Sequence, residues 1–200
     1  SRRQRQMCIR DRRYEFRMAD IPLYCDEPTT PEFSAPATAV RALLALARGA
    51  DLTENLTTLA KTGLCALTEA EVCALENYAY TWSPNAAAWR AAFRNDPKGF
   101  GDRELTEEDA RNLSDAEKAR ALLVNAADAL RGKVRNANAE AISRAVYFCL
   151  KTLGAEEQQA AQVKAIRAGR GIPAAEEAAR EWNVVMGLLC LLYTSDAADD

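Results

Sequence analysis

The sequence predicts an all-α protein: a bundle of about seven to eight short amphipathic helices behind an extended N-terminal arm. Three observations carry this expectation. Helix start signals recur along the chain, at Asp51-x-x-Glu54, Thr68-x-x-Glu71, Thr106-x-x-Asp109 and Ser114-x-x-Glu117. In each, a short polar side chain can cap the orphan N–H groups of a first turn while the acid three residues on reaches back. Glycines stand where helices should stop, at Gly49, Gly63 and Gly154. Strand-type alternation of apolar and polar residues is almost absent.

The two ends are set apart before any element is assigned. Cys190-Leu-Leu-Tyr-Thr-Ser-Asp-Ala-Ala-Asp-Asp200 back-translates to one strand of a transposase sequencing adaptor, and Arg2-Arg-Gln-Arg-Gln-Met-Cys-Ile-Arg-Asp-Arg12 to its reverse complement. Residues 1–12 and 190–200 therefore read as adaptor-derived, and such scars are excluded from fold reasoning. Met18 is the expected native start, and the native C-terminus is expected to be missing. The excluded ends carry five arginines and four aspartates, so the net charge of −3 for all 200 residues becomes −4 for the stretch between them. Their removal also takes away a basic N-terminus that invites a targeting reading.

Residues 13–33, with Pro22, Pro28 and Pro31 and no helical period, are the predicted arm. Ser34 with Pro36 starts a helix carrying Val40, Leu43, Leu44 and Ala47, which Gly49 ends. Asp51 opens a second, with Leu52, Leu56, Leu59 and Ala60 inward and Gly63 at its end. Thr68 and Glu71 cap a third with Val72, Leu75, Tyr78, Ala79 and Trp82 on one stripe, which Ser83-Pro84 stops. A fourth is expected over 84–95, placing Ala86, Trp89 and Ala92 or Phe93 together, before a loop at 95–102. Thr106 and Ser114 are read as two separate starts, the second leading a long helix through Leu122, Leu123, Ala126, Leu130 and Val134. Further helices follow at 137–153, at 156–168 and from Pro173. The expected organisation is a helical subdomain over 34–100 and a second over 101–189.

Chemistry is constrained mainly by what is missing. With no histidine, no Gly-x-Ser-x-Gly and no Gly-rich phosphate loop, no enzyme signature is present, and neither a cofactor nor a small-molecule substrate is indicated. Adjacent pairs such as Glu107/Glu108 and Glu176/Glu177 point in different directions around a helix and cannot share a proton. A zinc site would need Cys25, Cys65, Cys73 and Cys149 together; buried free thiols in a reducing compartment are the expectation. No stretch reaches the roughly 18 apolar residues of a membrane span, so no membrane partner and a cytoplasmic location, or a virion if the source is viral, are expected. Trp82, Trp89 and Phe93 could stack on bases, but their helical spacing places them in the core. Lys164, Arg167 and Arg170 form an exposed basic stripe. The cations offered for nucleic acid are Arg90, Arg94, Lys98 and Arg103, with a second cluster at Arg131, Lys133 and Arg135.

The segment Leu67-Thr-Glu-Ala-Glu-Val-Cys-Ala-Leu-Glu-Asn-Tyr-Ala-Tyr-Thr-Trp-Ser-Pro-Asn-Ala-Ala-Ala-Trp-Arg-Ala-Ala-Phe93 resembles the helix-turn-helix of phage small terminase subunits, and Ala119-Arg-Ala-Leu-Leu-Val-Asn125 looks like the segment that follows their recognition helix. The resemblance covers about a third of the chain. It implies binding of duplex DNA by a homo-oligomer that hands DNA to a packaging motor. Asp102–Asp109, the recognition region it implies, departs from the pattern: Glu104, Glu107, Glu108 and Asp109 would repel phosphates. A self-associating helical coat or scaffold protein is the alternative, and an accessory protein of a conjugative or toxin system a third. If DNA is the partner, Arg90, Arg94 and Arg103 should share one exposed face; a coat protein should expose contiguous apolar patches.

Overall fold

The computed structural model describes residues 14–16, 18, 19, 21, 34–101 and 104–194, in two compact units, Ser1–Thr30 and Pro31–Asp200. In the first unit, residues 14–16 and 18 are helical. The Ala19 N–H donates to Glu15 O at 2.9 Å and the Ile21 N–H to Phe16 O at 2.9 Å. The start of the expected extended arm is thus a helical turn, which no proline before Pro22 forbids. The rest of the arm, with Pro22, Pro28 and Pro31, lies outside the described residues, as do 1–12 and 195–200.

Among the described residues every regular element is a helix, so the all-α class stands. The second unit runs α1 (Ala35–Ala47), α2 (Leu52–Lys61), α3 (Glu69–Trp82), α4 (Ala86–Arg90), α5 (Glu107–Val134), α6 (Ala139–Thr152), α7 (Ala155–Arg170) and α8 (Ile172–Thr194). The starts follow local chemistry. The Asp51 side chain accepts the Glu54 N–H at 2.8 Å. Thr68 with Glu71, and Thr106 with Asp109, close full reciprocal capping boxes. Asn138 accepts the Ala141 N–H at 2.9 Å to open α6.

Two expectations fail for tertiary reasons. The fourth helix is five residues long rather than spanning 84–95. Past Arg90 the chain turns extended at Ala91, and Phe93 swings into the core to stack on Tyr78 with ring centroids 3.9 Å apart. The Phe93 N–H then donates to Glu117 Oε2 at 2.8 Å instead of to a helical carbonyl. Ser114, read as a start, lies inside the 28-residue α5. Neither Gly nor Pro falls between Glu107 and Arg131, so nothing interrupts the helix begun at Thr106, and Glu117 holds the 91–93 turn instead of capping.

The helices on either side of residue 100 share one core. α3 packs along α5, α1 and α2 pack on each other and on α5, and α6 lies against α5 and α8. Leu43, Leu59, Leu75, Trp89, Leu123, Leu130 and Val146 are buried together. The stretches 34–100 and 101–189 are therefore halves of a single packing unit. α8 continues past Leu189 to Thr194, and Leu191 and Leu192 are exposed. No helix among the described residues is long and apolar enough to cross a membrane.

Candidate nucleic-acid interface

A basic concavity lies where α1 and α5 both end. Arg48 caps the C-terminus of α1. Arg131 sits in the last turn of α5 and Arg135 caps that helix. The three arginines line one cleft of about 540 Å³ whose other walls are Leu44, Ala47, Val134 and Ile142. No carboxylate lines it. Residue 49 adjoins the Arg131 guanidinium: a Cβ on Gly49 would stand 3.4 Å from Arg131 Nη2, an ordinary contact distance. Gly49 also has φ of +84°, in the left-handed region where side chains are strained.

A smaller cleft adjoins the first and shares Arg131; its walls include Gly49, Asp51, Thr53, Trp89 and Arg90. Here Arg90 is engaged. Its Nε and Nη2 donate to the two oxygens of Asp128 at 3.0 and 2.8 Å, and Nη1 donates to Ala86 O at 3.1 Å. The hydrogen bonds to Asp128 raise the Arg90 pKa above its ordinary value, so the guanidinium stays charged. Asp128, Arg131 and Arg135 stand at i, i+3 and i+7, one face of α5.

The seven residues expected to contact nucleic acid are thus partly reunited. Arg131 and Arg135 share the cleft and Arg90 borders it. Arg94 is exposed and lines neither cleft. Lys98 serves the fold, with Nζ 3.0 Å from Oδ1 of the fully buried Asp109. Lys133 lies with Asn138, Glu140, Arg144 and Phe148 at a different depression, as its place two residues along α5 from Arg131 requires. Arg103 lies outside the described residues, and with it the expected shared face of Arg90, Arg94 and Arg103. Arg48 was missed. Its sequence signal, a cation just before the glycine that ends a helix, reads as an ordinary dipole partner. At the recognition region that the terminase likeness implies, Glu107 and Glu108 are exposed on the first turn of α5 and Asp109 is buried in the capping box.

Of the other expected groups, Trp89, Phe93, Cys65 and Cys149 belong to the interior, whereas Cys73, expected as a buried thiol, is exposed. Trp89 is fully buried and donates from Nε1 to Thr53 Oγ1 at 2.8 Å; Phe93 is buried and Trp82 half-buried. Lys164, Arg167 and Arg170 are exposed. Burial, and then the neighbouring Cys149, pushes the Cys65 thiol up to about 12, and burial pushes Cys149 to about 11, so both stay protonated at neutral pH. Among the described residues no cluster of Cys, Asp and Glu is placed to hold a metal ion. Comparison with known proteins finds no matching family model and no matching curated relative.

Proposed function

We propose that this chain is a non-enzymatic, phage-type DNA-binding protein, small-terminase-like in acting as a homo-oligomer on duplex DNA. The observation that carries the reading is the sharing of Arg131 by two adjoining clefts, which sets Arg48, Arg90, Arg131 and Arg135 along one side of the bundle. Duplex DNA is held chiefly by neutralising its phosphates, and each neutralised phosphate steepens the salt dependence. Three or four such contacts give a slope of log K against log salt of about −3 to −4. The protein trimmed to residues 18–189 should be retained on duplex DNA at low salt and released steeply as salt rises. Arg131→Gln should flatten the slope by about one contact. Absence of retention at low salt rejects the reading.

The alternative, a self-associating helical coat or scaffold protein, is favoured by one feature. Tyr147 and Phe148 on α6 are 40% and 50% exposed, and Val184 and Leu188 on α8 are 40% and 57% exposed. Packed helices that leave such side chains in water present surface for a neighbour. Sedimentation of the trimmed protein separates the two: a monomer that binds DNA fits the first reading without its oligomer, and an assembly with no DNA retention fits the second.

A further inference from the structure

We propose that the cleft of Arg48, Arg131 and Arg135 binds a phosphate monoester carried on a nucleoside, either a free nucleotide or the phosphorylated end of a nucleic-acid strand. This goes beyond the DNA reading and rests on it only for the strand-end source.

The charge of the cleft comes first. Cations near a helix C-terminus are ordinarily explained by the helix dipole, an effect that fades within the last turn and needs only one cation per helix. Here arginines from two helices converge on one concavity that no carboxylate lines. Gathering like charges is unfavourable, and a bound anion relieves the repulsion. Guanidinium groups suit phosphate oxygens because their planar N–H forks donate in pairs. Three of them match a dianion, the monoester at neutral pH, better than the single charge of a backbone diester.

Shape then selects the rest of the ligand. The cleft's 540 Å³ falls within the range of roughly 300–1,000 Å³ usual for small-molecule sites, far more than a phosphate alone fills. Its remaining walls, Leu44, Val134 and Ile142, are apolar and offer a sugar or base van der Waals contact without a hydrogen-bond code. A concave site also suits a terminal group better than the convex, evenly spaced phosphates of an uninterrupted duplex. The expected ligand is therefore phosphate-specific and tolerant of base identity.

The test uses calorimetric titration of the full chain with adenosine 5′-monophosphate, adenosine and inorganic phosphate. The monophosphate should bind, adenosine should not, and inorganic phosphate should bind more weakly than the monophosphate. Arg131→Gln and Arg48→Gln should each weaken the monophosphate by about tenfold or more, the usual loss for a hydrogen bond to a charged group. Lys133→Gln, at a separate depression, should leave it unchanged; circular dichroism checks that all three variants are folded. A short duplex with 5′-phosphates, its 5′-hydroxyl twin and closed circular DNA then separate the sources. A gain from the 5′-phosphate that Arg48→Gln abolishes assigns the strand end. Monophosphate binding without that gain assigns the free nucleotide. Should all DNA forms fail while the monophosphate binds, the DNA reading falls and this one stands. If the phosphate adds nothing to either nucleotide or duplex, or if the arginine variants bind as well as the parent, the proposal is overturned while salt-dependent DNA retention is free to survive.

Discussion

Arg120 shows how this chain spends a cation on packing. It is 8% exposed, donates from Nε and Nη2 to the two oxygens of Glu117 at 2.6 Å each, and donates from Nη1 to Trp89 O at 2.9 Å. Its guanidinium carbon also stands 5.7 Å from the centre of the Phe93 ring. Together Arg120 and Glu117 hold the 89–93 turn against α5. Replacing Arg120 by Ala would leave the Glu117 carboxylate without its charged partner, so a loss of about 2–4 kcal/mol is expected from urea unfolding. Acid should act through the same carboxylate. Burial pushes the Glu117 pKa up, but the Arg120 and Phe93 hydrogen bonds and the Arg120 charge outweigh it, leaving the group below its ordinary 4.5. Glu71 is similar: burial raises it, and hydrogen bonds from Lys118 and Thr68 with the Lys118 charge bring it below 4.5. A lowered folded-state pKa stabilises above the unfolded value, and this stability is lost as pH falls through the lowered one. Tm should therefore decline from near pH 4.5 downward, and Glu117→Gln should flatten that decline; an unchanged slope in the variant would remove Glu117 from the account.

At the scale of elements, the turn between α1 and α2 sets a left-handed glycine beside the candidate site. Gly49→Ala forces a side chain into φ of +84°, while its Cβ meets Arg131 Nη2 at an ordinary contact distance of 3.4 Å. A loss of about 1–2 kcal/mol is expected from the backbone alone, read from urea unfolding, with monophosphate binding kept because Arg131 need not move. Gly49→Asn, which tolerates the left-handed region better, should recover part of the stability. Equal losses in the two variants would mean that the left-handed backbone is not the cause. This turn also marks the limit of what the sequence conveys. Capping is local chemistry, so the starts at Asp51, Thr68 and Thr106 were legible, as was the stop at Gly49. The early end of α4 was not, because Tyr78 and Glu117, distant in sequence, draw Phe93 out of the helix. Arg131 and Arg135 were legible as a basic pair, but their convergence with Arg48 depends on α1 and α5 ending at the same place.

For the whole molecule, the length of α5 separates two kinds of surface. Its first turn carries Glu107, Glu108 and Asp109, and its last turn Arg131 and Lys133 before Arg135. At 1.5 Å per residue, 28 residues hold these ends about 40 Å apart. The acidic end is the one that the terminase likeness would have placed against DNA; an anionic partner would instead approach the C-terminal end, where α1 contributes Arg48. The same view separates what the fold needs from what continues beyond it. Leu189 is 9% exposed and belongs to the core, whereas Cys190, Leu191 and Leu192 are exposed. If residues 190–200 are adaptor-derived, no selected contact should depend on them. Surface changes of this kind stay within about 0.5 kcal/mol, so ending the chain after Leu189 should shift Tm by no more than about 2 °C. Removing Leu189 as well should cost about 2–3 kcal/mol of buried side chain and lower Tm by several degrees. A large drop from the first truncation alone would show that the residues after Leu189 belong to the folded protein, and the adaptor reading of that end would fall.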